Sequence, residues 1–424
     1  MRERRSFRRA AAPAFAGVLI CVCLLFYAGE GKALFEDAVA YDANNVSLTI
    51  NEDVSLNAES DNAIAVRVME DQGEAISVTV GGSITVDDRT DRYDHQGADG
   101  MQVMAYGSGS KATVTVDGGI RTVNTWTAGE TGNLDTSGFQ MEVRDQGSVE
   151  VTVNGGISAK TRLYDPKDSD YTWTAGISCY NLGGNVKATV NGDIATDDEY
   201  YGVALNAHTE GDGTASSFYE IDGDLTGDTI GVRTSNANPA ATTEIIVNGT
   251  VSGDDCVSLE GDYRDKIRLT FWRAQSRESE NLIRRDEEMD EASAAAYEKK
   301  INYILRTDPD SDSLITMDAE TYHGYRVARE GEKVTLRISA PEGYEVEAVY
   351  GLPDRKAALP KAAEGQWVLE VPKGGGVEIS VKLKKAQPAP VPGTGDRSEP
   401  LLWTLLILAG AAGIGGTVIS RKAN

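Results

Sequence analysis

Val149-Glu150-Val151-Thr152-Val153-Asn154-Gly155-Gly156-Ile157 is answered 37 residues later by Val186-Lys187-Ala188-Thr189-Val190-Asn191-Gly192-Asp193-Ile194. In both, apolar and mostly β-branched residues alternate with polar ones, and a polar-Gly step then separates the last apolar residue from the next by four positions. Period-two alternation is the mark of a strand with one apolar face. The phrase therefore reads as strand, bend, strand. Further copies run from Ile50 to Val54, Val80 to Ile84, Val116 to Ile120, Ile221 to Leu225 and Val247 to Val251. Successive first positions differ by 30, 36, 37, 37, 31 and 26 residues, which is too short for a row of immunoglobulin-like domains of about 100 residues each.

A second phrase interleaves with the first. A small residue precedes an apolar one in Ala63-Ile64-Ala65-Val66, Gly100-Met101, Gly138-Phe139, Gly176-Ile177, Gly202-Val203-Ala204-Leu205, Gly231-Val232 and Cys256-Val257. Each repeat thus holds two or three short strands, which cannot bury their apolar faces within one repeat. Stacking each repeat on the next solves this, giving a parallel β-solenoid of about seven coils spaced by about 4.8 Å. The Asn-Gly steps suit corners, where positive φ is tolerated by Asn and Gly, and stacked Asn can hydrogen-bond from coil to coil. An antiparallel sandwich is the alternative, since Asn-Gly is also a favoured hairpin turn. The expected class is all-β. Over residues 44–262 the repeat resembles the right-handed parallel β-helix of pectate-lyase-like enzymes and bacterial adhesins.

The two ends point to a compartment. Arg2, Arg4, Arg5, Arg8 and Arg9 precede an apolar run from Ala14 to Ala28, the build of a secretory signal peptide over residues 1–33, with cleavage after Ala33 or, second, after Ala40. An uncleaved anchor is the alternative. Leu401 to Ser420 carries no charge for twenty residues, about 30 Å as a helix, and Arg421 and Lys422 follow it. This predicts a C-terminal transmembrane helix with a cytoplasmic tail at 421–424, and the rest of the chain outside. Before the span stands Val391-Pro392-Gly393-Thr394-Gly395, after the Pro-rich run Gln387 to Pro390. The order of pentapeptide, apolar span and basic tail resembles the cell-wall sorting signal of Gram-positive surface proteins. The resemblance implies cleavage between Thr394 and Gly395 by a sortase transpeptidase and joining of Thr394 to peptidoglycan. Val391 stands where that family has Leu.

The whole chain has 41 Lys plus Arg against 66 Asp plus Glu, and residues 34–394 hold 32 against 62, a net charge of −30. Nucleic-acid binding is not expected, because it rests on Lys and Arg displacing counterions from a polyanion. Cys179 and Cys256 lie three repeats apart, about 14 Å along the axis and beyond disulfide reach, so two buried free thiols are expected. Residues 263–323 read as strands around a charged, Ala-rich, partly helical excursion. Residues 324–384 read as a small β-module with strands near 333–338, 344–350, 367–371 and 377–381, a spacer before the linker and motif at 385–396. Its phrase Glu332 to Leu336 with Glu342-Gly343-Tyr344 resembles the small β-modules near the anchors of Gram-positive surface proteins.

Candidate chemistry is sparse. His95, His208 and His323 are too dispersed for a zinc set, and no Walker, HExxH or GxSxG arrangement occurs. Acids cluster between repeats at Asp87, Asp88, Asp91 and Asp94, at Asp165, Asp168 and Asp170, and at Asp197, Asp198 and Glu199. The favoured reading is solvated loop charge, with calcium binding and lyase or hydrolase chemistry as alternatives. Asp308, Asp310 and Asp312 lack the Gly and Glu of an EF-hand and read as an acidic turn. The aromatics are more informative. Thr125-Trp126-Thr127-Ala128-Gly129 recurs as Thr172-Trp173-Thr174-Ala175-Gly176, with Tyr164, Tyr171, Tyr200 and Tyr201 nearby. Loops of successive coils emerge on one side of a solenoid, so these rings form either a sugar-stacking platform or covers for their own loops. The expectation is a non-enzymatic adhesin or glycan-binding protein at the cell surface, with a host or plant glycan as ligand. A polysaccharide lyase or hydrolase, and a stalk without ligand, are the other classes.

Overall fold

A computed structural model describes residues 38–59, 62–90, 97–126, 133–162, 171–198, 201–211, 213–285, 289–351 and 357–387. Eight strands form one sheet: Ala38–Asn44, Asn62–Glu70, Gly97–Tyr106, Asn133–Arg144, Tyr171–Leu182, Gly202–Thr209, Ile230–Asn236 and Asp255–Glu260. Every neighbouring pair in it is parallel. The repeated phrase builds two further columns of parallel strands. Ile50, Val80, Val116, Val153, Val190, Ile221 and Val247 fall in one register row. Val54, Ile84, Ile120, Ile157, Ile194, Leu225 and Val251 fall in the other. Parallel pairing between repeats, and not hairpins within them, makes the molecule a solenoid-like all-β stack. Both rows are buried, and each side chain taken from water contributes about 1.5–3 kcal/mol.

The corners work differently from the expectation. Neither Asn154, Gly155, Asn191 nor Gly192 has positive φ. Glycine is needed there because stacked corners touch. A Cβ on Gly155 would lie 2.6 Å from the Gly119 nitrogen, and one on Gly192 would lie 2.7 Å from that of Gly156. The asparagines do bond along the stack: Asn191 Nδ2 donates to Asn154 Oδ1 at 2.8 Å, and Asn154 Nδ2 to Asp117 Oδ1 at 3.2 Å. In the second phrase two copies shift by two residues. Val66 pairs with Met101 and Leu205 with Ile177, so Ala65 and Ala204, not Ala63 and Gly202, match Gly176. At Gly176 a Cβ would come within 2.3 Å of Ile194 Cγ2, which explains the small residue.

The parallel stack runs on past residue 262. Ile267–Ser276 pairs with Thr242–Gly253, Asn302–Ile304 pairs with Ile267–Ser276, and Val257 bridges Ile283. The charged excursion contains a helix, Glu291–Glu298, capped by Asp290, which accepts a bond from the Ser293 nitrogen at 2.7 Å. Its last residue, Glu298, is buried. Glu298 Oε1 accepts the Leu282 and Ile283 N–H groups at 2.6 and 3.2 Å, and Oε2 meets Lys373 Nζ at 3.1 Å.

The C-terminal module pairs antiparallel strands: Lys333–Ile338 between Ile315–Met317 and Gln366–Glu370, and Tyr344–Tyr350 with Glu378–Lys385. A hairpin of Glu320–Tyr322 and Tyr325–Arg329 turns through His323 and Gly324, both at positive φ, and leans on the stack. Tyr322 donates its hydroxyl to Glu244, and Tyr325 donates to Glu220 at 3.1 Å. Arg306 Nη2 donates to the Asn248 carbonyl at 2.6 Å, and Trp272 Nε1 to that of Val377 at 3.1 Å. Cys179 and Cys256 are buried free thiols, each pushed up to about 12 by burial. Among the described residues no helix is long and apolar enough to cross a membrane. The signal segment, Val391 to Gly395 and the span 401–420 lie outside the described residues.

Candidate functional site

Because the side chains of a strand alternate, the outward positions of the eight-stranded sheet also form rows along the stack. One row holds Arg67, Gln102, Gln140, Ser178, Asn206, Arg233 and Ser258. Two residues further along each strand lies a row with Glu142, Tyr180, His208, Ser235 and Glu260. At the strand starts Asp135 pairs with Trp173, and Tyr201, just before Gly202–Thr209, lies beside Trp173.

Two aromatic pairs span the same two coils. Trp173 and Tyr201 stack with centroids 4.9 Å apart and planes at 28°. Tyr180 and His208 stack at 5.5 Å and 7°. Arg233, on the following coil, reaches between them, with its guanidinium carbon 5.1 Å from the Trp173 ring centre. It is held there by Glu260: Nε donates to Oε1 at 2.7 Å and Nη2 to Oε2 at 2.9 Å. Burial acts to raise the Glu260 carboxyl, but the Arg233 bonds and charge outweigh it and hold the group below its usual range. Burial, then the Arg233 charge, lowers His208, leaving the ring neutral and bonded through Nδ1 to Ser235 Oγ at 2.6 Å.

Between Tyr201 and His208 along the strand lies Asn206, fully buried. Its Nδ2 donates to Ser178 Oγ at 3.4 Å, and its Oδ1 accepts no hydrogen bond. On the preceding coils Gln102 Nε2 donates to Gln140 Oε1 at 2.7 Å. Asp99, 9% exposed, is pushed up to about 7, chiefly by burial, with the Asp135 charge adding to the rise and a bond to Ser137 and the Arg67 charge opposing it. Asp135 is also raised by burial. Rings for stacking, amides for hydroxyls and two reluctant carboxylates therefore share one face.

Of the residues singled out in sequence, Trp173 and Tyr201 come together. Tyr164, Tyr200 and the side chains of Trp126 and Tyr171 lie outside the described residues. Tyr180, Arg233 and Asp99 escaped notice, and His208 was weighed only as a zinc ligand, because they fill the polar positions of an alternating strand, where nothing distinguishes a site from a solvated face. Their signal is the register itself: aligning Gly138 with Gly176 brings Gln140 and Ser178 into line, and aligning Gly176 with Ala204 adds Asn206.

Two acids expected to be solvated loop charge are not. Asp88 lies in the strand Ile84–Thr90 and is fully buried, and Asp198 is 5% exposed. Asp198 accepts hydroxyl bonds from Thr172 at 3.0 Å and Thr174 at 2.6 Å, and Thr174 in turn meets Thr161 at 2.6 Å. These groups form a buried polar seam. Asp308, Asp310 and Asp312 make a turn in which Asp308 accepts the Asp310 N–H at 3.0 Å. Among the described residues no group of three or more His, Cys, Asp or Glu is placed to hold a metal ion. No protein-family model, curated protein or solved structure matches the chain.

Proposed function

We propose that this protein is a non-enzymatic glycan-binding adhesin displayed at the cell surface, exported by its N-terminal segment and held by its C-terminal sorting signal at Val391 to Gly395. The observation that carries the binding reading is the half-buried Trp173–Tyr201 stack with Arg233 at its edge. The C–H faces of a sugar ring pack on such aromatic surfaces, and the neighbouring carboxylates and amides take its hydroxyls. Binding of the full-length protein to a glycan array, with loss on Trp173→Ala and Tyr201→Ala, tests it. Mass spectrometry of protein released from the wall tests the anchor: a C-terminus at Thr394 joined to peptidoglycan fragments is expected, and an intact Asn424 means membrane retention only.

Asp99 favours a second reading, hydrolysis or lysis of a bound polysaccharide. A carboxyl that stays protonated near neutral pH is suited to general acid work, and Asp135 lies diagonally across one coil from it. Release of reducing or unsaturated ends from a bound polymer, abolished by Asp99→Asn, would select this reading over the first.

A further inference from the structure

The two ends of the stack are unlike. At the far end Ile283 bridges Val257 on the last strand of the eight-stranded sheet, Asn302–Ile304 pairs with Ile267–Ser276, and Ala274 donates its N–H to the Gly374 carbonyl of the module at 2.8 Å. At the near end the first coil consists of Ala38–Asn44, Leu48–Ile50 and Val54–Ala58, and each of these strands pairs with the second coil alone. Among the described residues no strand lies against their other edge. An open parallel edge of this kind is a template for a further strand. The side chains agree. Tyr41, Leu48 and Leu56 stand in register with Val66, Val78 and Val86. The three valines are fully buried, whereas Tyr41, Leu48 and Leu56 are only partly so, which leaves the core uncovered on one side. Val46, 54% exposed, lies between the first two of these strands.

What covers this end follows from chain length and symmetry, on the proposed reading that the segment through Ala33 is removed at export. Leu34 to Asp37 then precede the first strand, four residues where the repeats take 26 to 37. The covering strands have to come from another chain. A copy stacked head to tail has no place, because Ile283, Asn302–Ile304 and the module occupy the far end. A two-fold axis across the near end reverses strand direction and brings the same surface to itself. Run through the middle of Ala38–Asn44 and the corner at Glu52, it sets Ala38–Asn44 antiparallel to its own copy and Leu48–Ile50 antiparallel to the copy's Val54–Ala58. All three edges and all three apolar side chains are covered together, and the pair is closed to further growth. Charge opposes the contact. Asp42, Glu52, Asp53 and Glu59 are the charged residues of the first coil, with no basic one among them, and Glu52 and Asp53 sit at the corner on the axis.

We infer that the near end of the solenoid is a docking surface for a second copy of this chain, two stacks joining head to head through their first coils about a two-fold axis.

Sedimentation equilibrium of the full-length protein recovered from the cells that export it, with its N-terminus read by intact mass, tests this. A monomer–dimer equilibrium with no larger species is expected, tightened at least about threefold as salt rises from about 0.05 to about 0.5 M and screens the facing acids. Leu48→Lys puts a charge into the covered core and is expected to weaken the dimer at least about tenfold with the parent's circular dichroism. Glu52→Gln, a change at an exposed corner, is expected to strengthen it about twofold at low salt. A chain that begins at Leu34 and stays monomeric at about 100 μM overturns the inference while leaving export intact, as does growth beyond the dimer or a dimer indifferent to both substitutions. A mass that still includes Met1 overturns the removal on which the docking rests.

Discussion

Asn154 receives the side-chain amide of Asn191 at 2.8 Å and passes its own to Asp117 at 3.2 Å, so one polar ladder crosses three coils at the same corner where Gly155 rests on Gly119. The two neighbours have opposite sensitivities. Asn154→Ala removes exposed bonds and is expected to lower stability by about 1 kcal/mol. Gly155→Ala forces backbone apart and is expected to cost about 3 kcal/mol, the range of overpacking in a rigid interior. Urea unfolding of both variants checks the order.

Asp99 makes stability fall with rising pH. Its folded pKa, about 7, lies above the unfolded value, so the folded chain binds the extra proton between about pH 4 and 7 and loses stability as pH rises through that window. Asp99→Asn is expected to flatten this part of the profile and to raise stability by about 2 kcal/mol at pH 8 relative to the parent. Unfolding free energies measured from pH 4 to 8 decide it.

Glu298 terminates the stack where another strand would otherwise bind. It satisfies two backbone donors, Leu282 and Ile283, and pairs with Lys373. Glu298→Ala leaves both donors buried and unmet and is expected to lower stability by about 3 kcal/mol, whereas Lys373→Ala is expected to cost less because Lys373 is at the surface. Amide exchange at Leu282 and Ile283 should quicken in the first variant and much less in the second.

Cys179 and Cys256 should be inert in the native protein. Both are fully buried, and burial keeps the thiolate out of reach at neutral pH. A disulfide-exchange reagent is expected to label neither thiol in the folded chain and both after denaturation, counted by intact mass.

The rows through Val153 and Ile157 were readable in full, because β-branched residues repeat there with a corner of fixed length. The second phrase was readable only to within two residues: Ala63 and Gly202 satisfy the same pattern as Ala65 and Ala204, and only pairing across coils separates them. The positive φ assigned to Asn154 and Gly155 failed because glycine serves two purposes, unusual torsion and close approach, and composition does not distinguish them. Trp173 stood out as a repeated word with Tyr201 nearby. Arg233 did not, since its meaning comes from Trp173, sixty residues away in the chain and two coils away in space. The burial of Asp88 was hidden for a related reason: a carboxylate at a strand end looks solvated until the corner closes around it.

The hairpin at Tyr322 and Tyr325 has a mechanical consequence. Gripping Glu244 and Glu220 from outside, with Arg306 and Trp272 bonded alongside, it ties the small module to the coils at four points. A pull arriving through the module's last strand is therefore shared across several rungs instead of peeling one away. On the proposed reading of the aromatic face, drag on a bound glycan would then load the stack as a single lever.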